Sequence, residues 1–367
     1  MKKHAIIPIF IPHKGCPNEC IFCNQKKITA HQKSVTVKDV EDIVETWLPT
    51  LQNRGIETIE LSFFGGSFTG IPMDEQKAYL AVAKKYKGMG KIDKIHMSTR
   101  PDYINEEILD NLVSYGADTI ELGVQSFDDE VLRKAKRGHD SSIVYKSSKM
   151  IQDYGFELGI QLMIGLPGDS RESCTYSAEE TVKIGPSIAR LYPTVTIKDT
   201  ELYDCWRNGT FIPLTQDEAV YRTKEMYKIL DAAGIDIIRV GLKSSDIINE
   251  DGDIAPGTFH PAFRQLVEGQ IARDEIENQL KNSGILPSHD TCAPEKRIKA
   301  DFLSCRDSYP ELIGHKAVNR EYFTDNYPTL NIKFKVDDSL KNKQYKVLLK
   351  RRTKDEHTVK SGSYSNR

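Results

Sequence analysis

The 367-residue sequence lacks an apolar run long enough to cross a membrane. The apolar stretch nearest the amino terminus, residues 5–12, falls well short of the roughly 20 residues that a spanning helix needs, and Pro8 interrupts it. Neither a transmembrane helix nor a secretory leader is therefore expected. We predict a cytoplasmic protein.

The sequence also lacks a charge excess and a disulfide framework. Lys and Arg total 51 against 53 Asp and Glu, so no field of one sign that would attract nucleic acid or membranes extends over the whole chain. The seven cysteines are too few for a disulfide scaffold in a chain of this length. We expect reduced thiols that are available to a metal.

Three of these cysteines, Cys16, Cys20 and Cys23, have the spacing C-x3-C-x2-C after the first strand-like segment. Three thiolates can hold a metal centre, but a structural zinc site is usually closed by four protein ligands. The spacing therefore favours a centre with one open position, at which another molecule can bind. The alternative is a zinc site completed by His13 or His31.

Short strand-like segments alternate with helical patterns, as in βα units around a parallel sheet. One helix is predicted to begin at the N-cap Asn105 and to end at Gly116, and another to begin at Thr215. The predicted strands cover residues 5–11, 58–64, 92–97, 119–124, 156–164, 188–197 and 235–240. We predict an α/β fold with a partial (βα)6-type barrel at 1–240, a small C-terminal helical region at 241–330 and a flexible basic tail at 331–367.

In barrel enzymes, the loops that follow the carboxyl ends of the strands carry the chemistry. Gly65, Gly66 and Ser67 follow the second predicted strand and lack the G-x-G-x-x-G spacing of a dinucleotide fingerprint. Ser98 and Gln125 lie near the ends of the third and fourth strands. The loops therefore predict a single site at the barrel rim, beside the cysteines.

The cysteine spacing with an aromatic residue at Phe22, followed by a Gly-Gly pair after the second strand, resembles the radical S-adenosylmethionine (SAM) superfamily. The resemblance implies that the three cysteines hold a 4Fe-4S cluster whose fourth iron binds SAM. It also implies that an electron, supplied by a donor such as flavodoxin or ferredoxin, cleaves SAM to a 5'-deoxyadenosyl radical. This radical abstracts hydrogen from a substrate that the sequence does not identify.

Within that superfamily the sequence resembles the radical SAM domain of the Elongator catalytic subunit, which modifies uridine in tRNA, and more weakly the oxygen-independent coproporphyrinogen oxidases. The similar segments are residues 98–102, 121–126, 137–139, 165–168 and 192–194. Nothing before Cys16 resembles the subunit's tRNA-binding extension, and nothing after Val240 resembles its acetyltransferase domain. The resemblance therefore leaves acetyl-CoA chemistry and tRNA as the substrate open.

The resemblance assigns SAM contacts to residues at the strand ends and assigns no catalytic residue. A Cβ at Gly65 or Gly66 would obstruct the methionyl amine, and Phe22 would lie near the adenine. Ser98 stands where relatives often have Glu, and Gln161 where they have Asp or His. The predicted SAM-contacting residues are Phe22, Gly65, Gly66, Ser67, Ser98, Gln125, Arg137 and Gln161. Ordinary loop hydrogen bonding and, for Phe22, simple packing are the alternatives.

The predicted tail contains Lys350, Arg351 and Arg352, which could follow an RNA phosphate backbone or belong to a solvated terminus. Two other functions stay open: a zinc-binding RNA-interaction module and a non-catalytic protein that binds an Fe-S cluster and SAM. The remaining cysteines are expected to be small buried side chains. They are Cys174, Cys205, Cys292 and Cys305. For Cys292 and Cys305 the alternative is that they donate hydrogen or hold a second cluster.

Overall fold

A computed structural model describes residues 4–11, 16, 20–24, 35–242, 252–288 and 297–350. The chain divides into two compact units, Met1–Arg264 and Gln265–Arg367. The predictions for His13, His31, Cys292, Arg351 and Arg352 lie outside the described residues. No described helix is both long enough and apolar enough to span a membrane.

The first unit is built around one sheet of seven parallel strands, which lie side by side in chain order and curl into a half-barrel. The strands are β1 His4–Ile11, β2 Thr58–Gly65, β3 Lys94–Thr99, β4 Thr119–Gln125, β5 Glu157–Ile164, β6 Ile188–Pro193 and β7 Asp236–Val240. Each overlaps a predicted strand. The prediction of a partial α/β barrel is therefore confirmed, with seven strands in place of six units.

Helices connect these strands. They are α1 Val37–Gln52, α2 Met73–Gly88, α3 Glu106–Ser114, α4 Asp129–Lys134, α5 Ser141–Asp153, α6 Arg171–Ile184, α7 Glu201–Arg207 and α8 Gln216–Ala232. The two predicted helix starts are confirmed. Asn105 accepts a hydrogen bond from the Ile108 amide at 2.9 Å, and Thr215 accepts one from the Glu218 amide at 3.2 Å.

The two faces of the sheet differ in polarity, as β6 illustrates. Ala189 and Leu191 are fully buried on the face against which α8 packs. Arg190 and Tyr192 alternate with them and lie half-buried on the opposite, concave face. The concave face therefore has a polar wall.

The second unit contains a three-stranded sheet with β8 in the centre. Its elements are α9 Phe263–Asn282, which begins at the boundary, β8 Ile298–Ser304, α10 Tyr309–Ile313, α11 Val318–Asn326, β9 Leu330–Val336 and β10 Tyr345–Lys350. β8 runs parallel to β9 and antiparallel to β10. Phe302, Phe323 and Tyr327 lie in its core.

This sheet corrects the predicted flexible tail, because residues 330–336 and 345–350 are strands. Lysines alternate with Ile332 and Phe334 in β9 and with Val347 and Leu349 in β10, and these four apolar side chains pack against the core. Alternation of apolar and polar residues predicts a strand with one buried face. The sequence analysis considered only the lysine-rich composition of this segment and missed the alternation.

Candidate active site

The cysteine loop follows β1. Cys20 is buried, with 5% of its surface exposed, whereas Cys16 and Cys23 are half-buried. None of the three forms a disulfide bond with a described residue. The amide of Cys23 donates to the carbonyl of Cys20 at 2.9 Å, so the second half of the loop forms a turn.

Two helices fix this turn. The Ile21 amide donates to the carbonyl of Ala135, just after α4, at 3.3 Å, and the Ile21 carbonyl accepts from the Leu202 amide in α7 at 2.8 Å. Phe22 packs against the cluster that contains Ala135 and Leu166. This contact accounts for the Phe22 ring by packing, and the predicted adenine contact stays a prediction.

Arg137 connects the cysteine loop to β4. Its Nη1 donates to the Cys20 sulfur at 3.4 Å, and its Nη2 donates to the Gly123 carbonyl. The side chain is buried, and its Nε has no hydrogen-bond partner among the described residues. Arg137 therefore places positive charge beside a cysteine and retains an unused donor.

A second buried guanidinium, that of Arg100, follows β3 and forms a two-point contact with Asp102 at 2.8 and 2.9 Å. Burial alone would lower the pKa of Arg100, but Asp102 and, more weakly, Cys16 and Cys20 raise it. The guanidinium thus lies within electrostatic range of both cysteines.

The glycine turn after β2 approaches β1 very closely. Gly65 has φ +115°, and a Cβ placed there would lie 2.5 Å from the Ile11 carbonyl oxygen. The Gly66 amide donates to that same oxygen at 3.0 Å. Only glycine can hold this backbone at the end of β1, where the cysteine loop begins.

Ser67 is buried, and its hydroxyl is shared within the protein. It lies 2.7 Å from the Thr99 hydroxyl, which also contacts the Thr69 hydroxyl at 2.6 Å. It also accepts from the Arg100 amide at 3.2 Å. Ser67 therefore ties the loops after β2 and β3 together.

Gln125 ends β4 in an unusual conformation. Its φ is +75°, and the pairing of β4 with β5 shifts register between Gly123 and Gln125. A Cβ on Gly123 would lie 3.0 Å from two side-chain nitrogens, Nε2 of Gln125 and Nη2 of Arg137. The bulge brings two predicted SAM contacts together over one glycine, and strained backbone of this kind occurs often at functional sites.

The other two predicted SAM contacts lie lower on the concave face. The Gln161 amide donates to Glu121 Oε1, and Ser98 is the register partner of Glu121. Gln161 is therefore engaged with a carboxylate, whereas the Ser98 hydroxyl forms no hydrogen bond with a described residue.

The sequence analysis missed a chain of buried charged groups on this face. Glu121 is fully buried, accepts from Arg190 Nε at 2.7 Å and lies 3.7 Å from His96 Nε2. The other ring nitrogen of His96 lies 2.6 Å from Glu60, and Arg190 also donates to the Tyr192 hydroxyl at 3.3 Å. Glu60, His96, Glu121 and Arg190 each interrupt an otherwise largely apolar strand, and this was the available signal.

The Glu60 carboxylate stays ionised. Burial would raise the pKa of Glu60, but hydrogen bonds from His96 and Ser62 outweigh it and lower the pKa to about 2. Burial also works against the charge of Arg190, yet Glu121 raises the pKa of that guanidinium. Glu60 and Arg190 therefore keep their charges within the buried wall.

Within the described part of the chain, no three His, Cys, Asp or Glu side chains are grouped as metal ligands. Residues 17–19, between the first two cysteines, are outside that part. The cysteines nevertheless suit an anionic iron–sulfur centre, since Arg137 donates to Cys20 and Arg100 lies within range of both Cys16 and Cys20.

Comparison with known proteins gives two family matches. The model of the radical SAM superfamily matches residues 10–179, and the model of the Radical_SAM C-terminal domain matches residues 186–273. Together they cover well over half of the chain.

Individual relatives agree with these matches. The chain is 27% identical over 254 residues to the tRNA uridine(34) acetyltransferase of Methanocaldococcus infernus, a match that covers 59% of this chain and 48% of the relative. It is 28% identical over 260 residues to Elongator complex protein 3 of Dictyostelium discoideum, covering 59% and 46%. The chain thus spans about half the length of the curated relatives it matches.

A solved structure shares the fold. The archaeal Methanocaldococcus infernus Elp3 with an N-terminal deletion superposes with a TM-score of 0.60 at 22% identity, over 82% of this chain and 71% of the other.

Proposed function

The chain belongs to the radical SAM superfamily, and we propose that it holds a 4Fe-4S cluster on Cys16, Cys20 and Cys23 and uses it to cleave SAM reductively. Radical SAM enzymes need a reductant, so an electron donor is required. The bound cluster and SAM would supply a carbon-centred radical that removes a hydrogen atom from the substrate.

The observation that carries this proposal is the position of Arg137. One guanidinium nitrogen donates to the Cys20 sulfur and another to the Gly123 carbonyl, next to Gln125. A hydrogen bond to a cysteine sulfur stabilises negative charge on a cluster. The unused Nε of Arg137 can donate to a carboxylate such as that of the SAM methionyl group.

The glycine turn supports the same assignment. Without a Cβ at Gly65, the backbone of the turn lies against the end of β1, and a backbone without a side chain lets a ligand amine approach closely. Ser67 and Thr99 hold that loop in place. We propose that this turn positions the methionyl amine and that Phe22, Ser98, Gln125 and Gln161 contact SAM, as the family resemblance implies.

Anaerobic reconstitution with iron and sulfide tests the function. We expect a brown protein with about four irons per chain that converts SAM to 5'-deoxyadenosine when reduced with dithionite. Iron without SAM cleavage would support the non-catalytic alternative. A colourless protein that retains one zinc would support the zinc module.

Substitution of Arg137→Lys tests the proposed SAM contact. We expect roughly 10- to 100-fold weaker SAM binding, because lysine cannot make the planar multi-point contact that a guanidinium makes. Equilibrium binding of SAM to the reconstituted protein is the measurement, with iron content determined in parallel.

Arg133→Lys is the matched control, because Arg133 lies on α4 with 69% of its side chain exposed and pairs with Glu130. It should bind SAM like the wild type. Equal affinity in the Arg137 and Arg133 variants would remove Arg137 from the SAM site.

We further propose RNA as the substrate class. Curated relatives are named for tRNA uridine, and the second unit has a basic surface in place of the predicted basic tail. The strand register puts five exposed lysines on the sheet face opposite the core, which we call the lysine face. They are Lys299, Lys333, Lys335, Lys346 and Lys350.

One acidic residue, Asp301, interrupts the lysine face and pairs with Lys335 and Lys350, each at 2.7 Å. Lys299, Lys333 and Lys346 form no salt bridge with a described carboxylate, although Lys346, after the Ser339 hydrogen bonds, helps to lower the pKa of Asp337. Strands lie about 4.8 Å apart and alternate residues about 6.6 Å apart, a spacing that suits successive phosphates. The lysine face is therefore suited to an RNA backbone.

The triple substitution of Lys299, Lys333 and Lys346 by Gln should weaken binding of an unmodified tRNA transcript and lower its salt dependence. The slope of log affinity against log salt should fall by about 2 to 3, because each lysine displaces about one counterion. Fluorescence anisotropy between about 50 and 200 mM KCl measures both quantities.

The control carries the same charge change at exposed helix positions in the first unit, Lys77, Lys146 and Lys228. Its salt slope should match that of the wild type. Identical slopes for the two triple variants would exclude the lysine face as an RNA contact.

A further inference from the structure

A row of residues crosses the concave face from the proposed SAM site to the far edge of the sheet. The register of β4 to β7 makes Gly123, Gln161, Arg190 and Arg239 successive partners. With strands about 4.8 Å apart, Arg190 lies about 10 Å and Arg239 about 14 Å along the row from Gly123. The row therefore begins at Gly123, whose carbonyl accepts a hydrogen bond from Arg137, and ends in two arginines.

Arg190 is an incompletely satisfied cation. Its side chain is 11% exposed, its Nε and Nη1 donate to Glu121 and Tyr192, and its guanidinium lies 5.0 Å from the centre of the Phe64 ring. Its Nη2 is buried and has no hydrogen-bond partner among the described residues. A buried donor without an acceptor costs about 1–3 kcal/mol, which an acceptor from a ligand would recover.

Arg239 adds a second positive charge on the adjacent strand. It is half-buried, and its Nε donates to the Gly241 carbonyl at 3.0 Å. Burial raises the pKa of Tyr192, while Arg190 and Arg239 both act to lower it, so both guanidinium groups lie near the tyrosine hydroxyl.

The charges at this end of the row do not cancel. Glu121 is the carboxylate that contacts Arg190, and the nearby Glu60 is bonded to His96. No acidic partner of Arg239 is present in the described ranges. Two guanidinium groups with one carboxylate leave excess positive charge on a partly desolvated wall, where a second anion would be bound strongly.

We propose that Arg190, Arg239 and Tyr192 form an oxyanion subsite that binds a phosphate or carboxylate group of the substrate. This subsite rests on the proposed function only because that proposal identifies the opposite end of the row as the SAM site. An anion anchored here would leave the intervening 10 Å or so of the row for the part of the substrate that loses hydrogen. The subsite is a binding and positioning device and takes no part in the hydrogen transfer itself.

Binding of small anions to the full-length reconstituted protein tests the subsite. The probes are inorganic phosphate, uridine 5'-monophosphate and malonate, each measured by isothermal titration calorimetry. We expect saturable binding of at least one probe. Preference for the two phosphate probes identifies a phosphate group as the natural ligand, and preference for malonate identifies a carboxylate.

The substitutions Arg239→Gln and Arg190→Lys should each weaken that binding by at least about tenfold, which corresponds to about 1.4 kcal/mol. Lysine at 190 keeps a charge beside Glu121 and removes the guanidinium fork. Arg207→Gln, at an exposed position of α7, should bind like the wild type. Thermal melts of all variants report whether the fold is retained.

No saturable binding of any probe, or unchanged affinity in the folded Arg239→Gln variant, would overturn the subsite. Anion binding does not require SAM cleavage. A protein that cleaves SAM but binds no anion would contradict the subsite alone, and a protein that binds anions but no cluster would contradict the proposed function alone.

Discussion

Replacement of Cys20 by Ala is expected to abolish both the proposed cluster and the proposed SAM cleavage. Cys20 is the most buried of the three loop cysteines and accepts the hydrogen bond from Arg137. Without its thiolate, only two cysteine ligands remain, and a 4Fe-4S cluster that already leaves one iron without protein ligation is not retained. Iron content should fall from about four per chain to near zero, and 5'-deoxyadenosine formation should fall at least about 100-fold.

Cys305→Ala is the matched control. Cys305 is similarly buried, at 8% exposure, but lies in the second unit, where its thiol contacts Ser308. This variant should retain the iron content and SAM cleavage of the wild type. Full cluster content and full cleavage in the Cys20 variant would show that the central assignment is wrong.

Gly65→Ala is expected to destabilise the first unit strongly. The new Cβ would lie 2.5 Å from the carbonyl oxygen and 2.9 Å from the carbonyl carbon of Ile11, both backbone atoms of a paired strand. The positive φ adds about 1–3 kcal/mol of strain. Together with the displacement of β1, this strain should lower the free energy of unfolding by roughly 3 kcal/mol or more, which corresponds to a melting temperature lower by about 6–12 °C.

The control for this effect is Gly55→Ala. Gly55 also has a positive φ, +63°, but a Cβ there would meet no atom within 4 Å. The free energy of unfolding of this variant should fall by about 1 kcal/mol, because only the backbone conformational preference is affected. Thermal unfolding of the two variants separates the close approach from the φ preference, and equal losses would contradict the argument from the Ile11 contact.

The same turn links stability to cofactor binding. Movement of the end of β1 would move the cysteine loop that follows it, so reconstituted Gly65→Ala should also bind SAM more weakly than Gly55→Ala. Both variants can be compared at a temperature at which both are folded. This comparison of SAM binding separates a loss of the binding site from a loss of the folded state.

The half-barrel could be predicted from the sequence because its strands are short apolar runs separated by helical patterns. Parallel strands covered by helices bury one face completely, and the remaining face contributes few residues that interrupt the run. β4 is the clearest case, since every residue from Thr119 to Gln125 is buried. The loop positions of Gly65, Ser67 and Gln125 followed from the strand ends.

Two features could not be read in this way. The lysines of β9 and β10 made the end of the chain look disordered, although alternate residues pack against Phe302 and Phe323. Glu121 and Arg190 are 69 positions apart and become partners only because β4, β5 and β6 lie side by side. Composition and local spacing do not contain such a contact.

The sequence by itself determined the three cysteines, the glycine turn and the order of the strands, because these depend on local backbone geometry and on spacing within one loop or strand. Only the tertiary structure decided what surrounds them. Arg137 donates a hydrogen bond to the Cys20 sulfur, the Ser67 hydroxyl bonds to the Thr99 hydroxyl, and two arginines lie at the far end of the concave row. These contacts depend on strand register and on the curl of the sheet, which bring together residues that are distant along the chain.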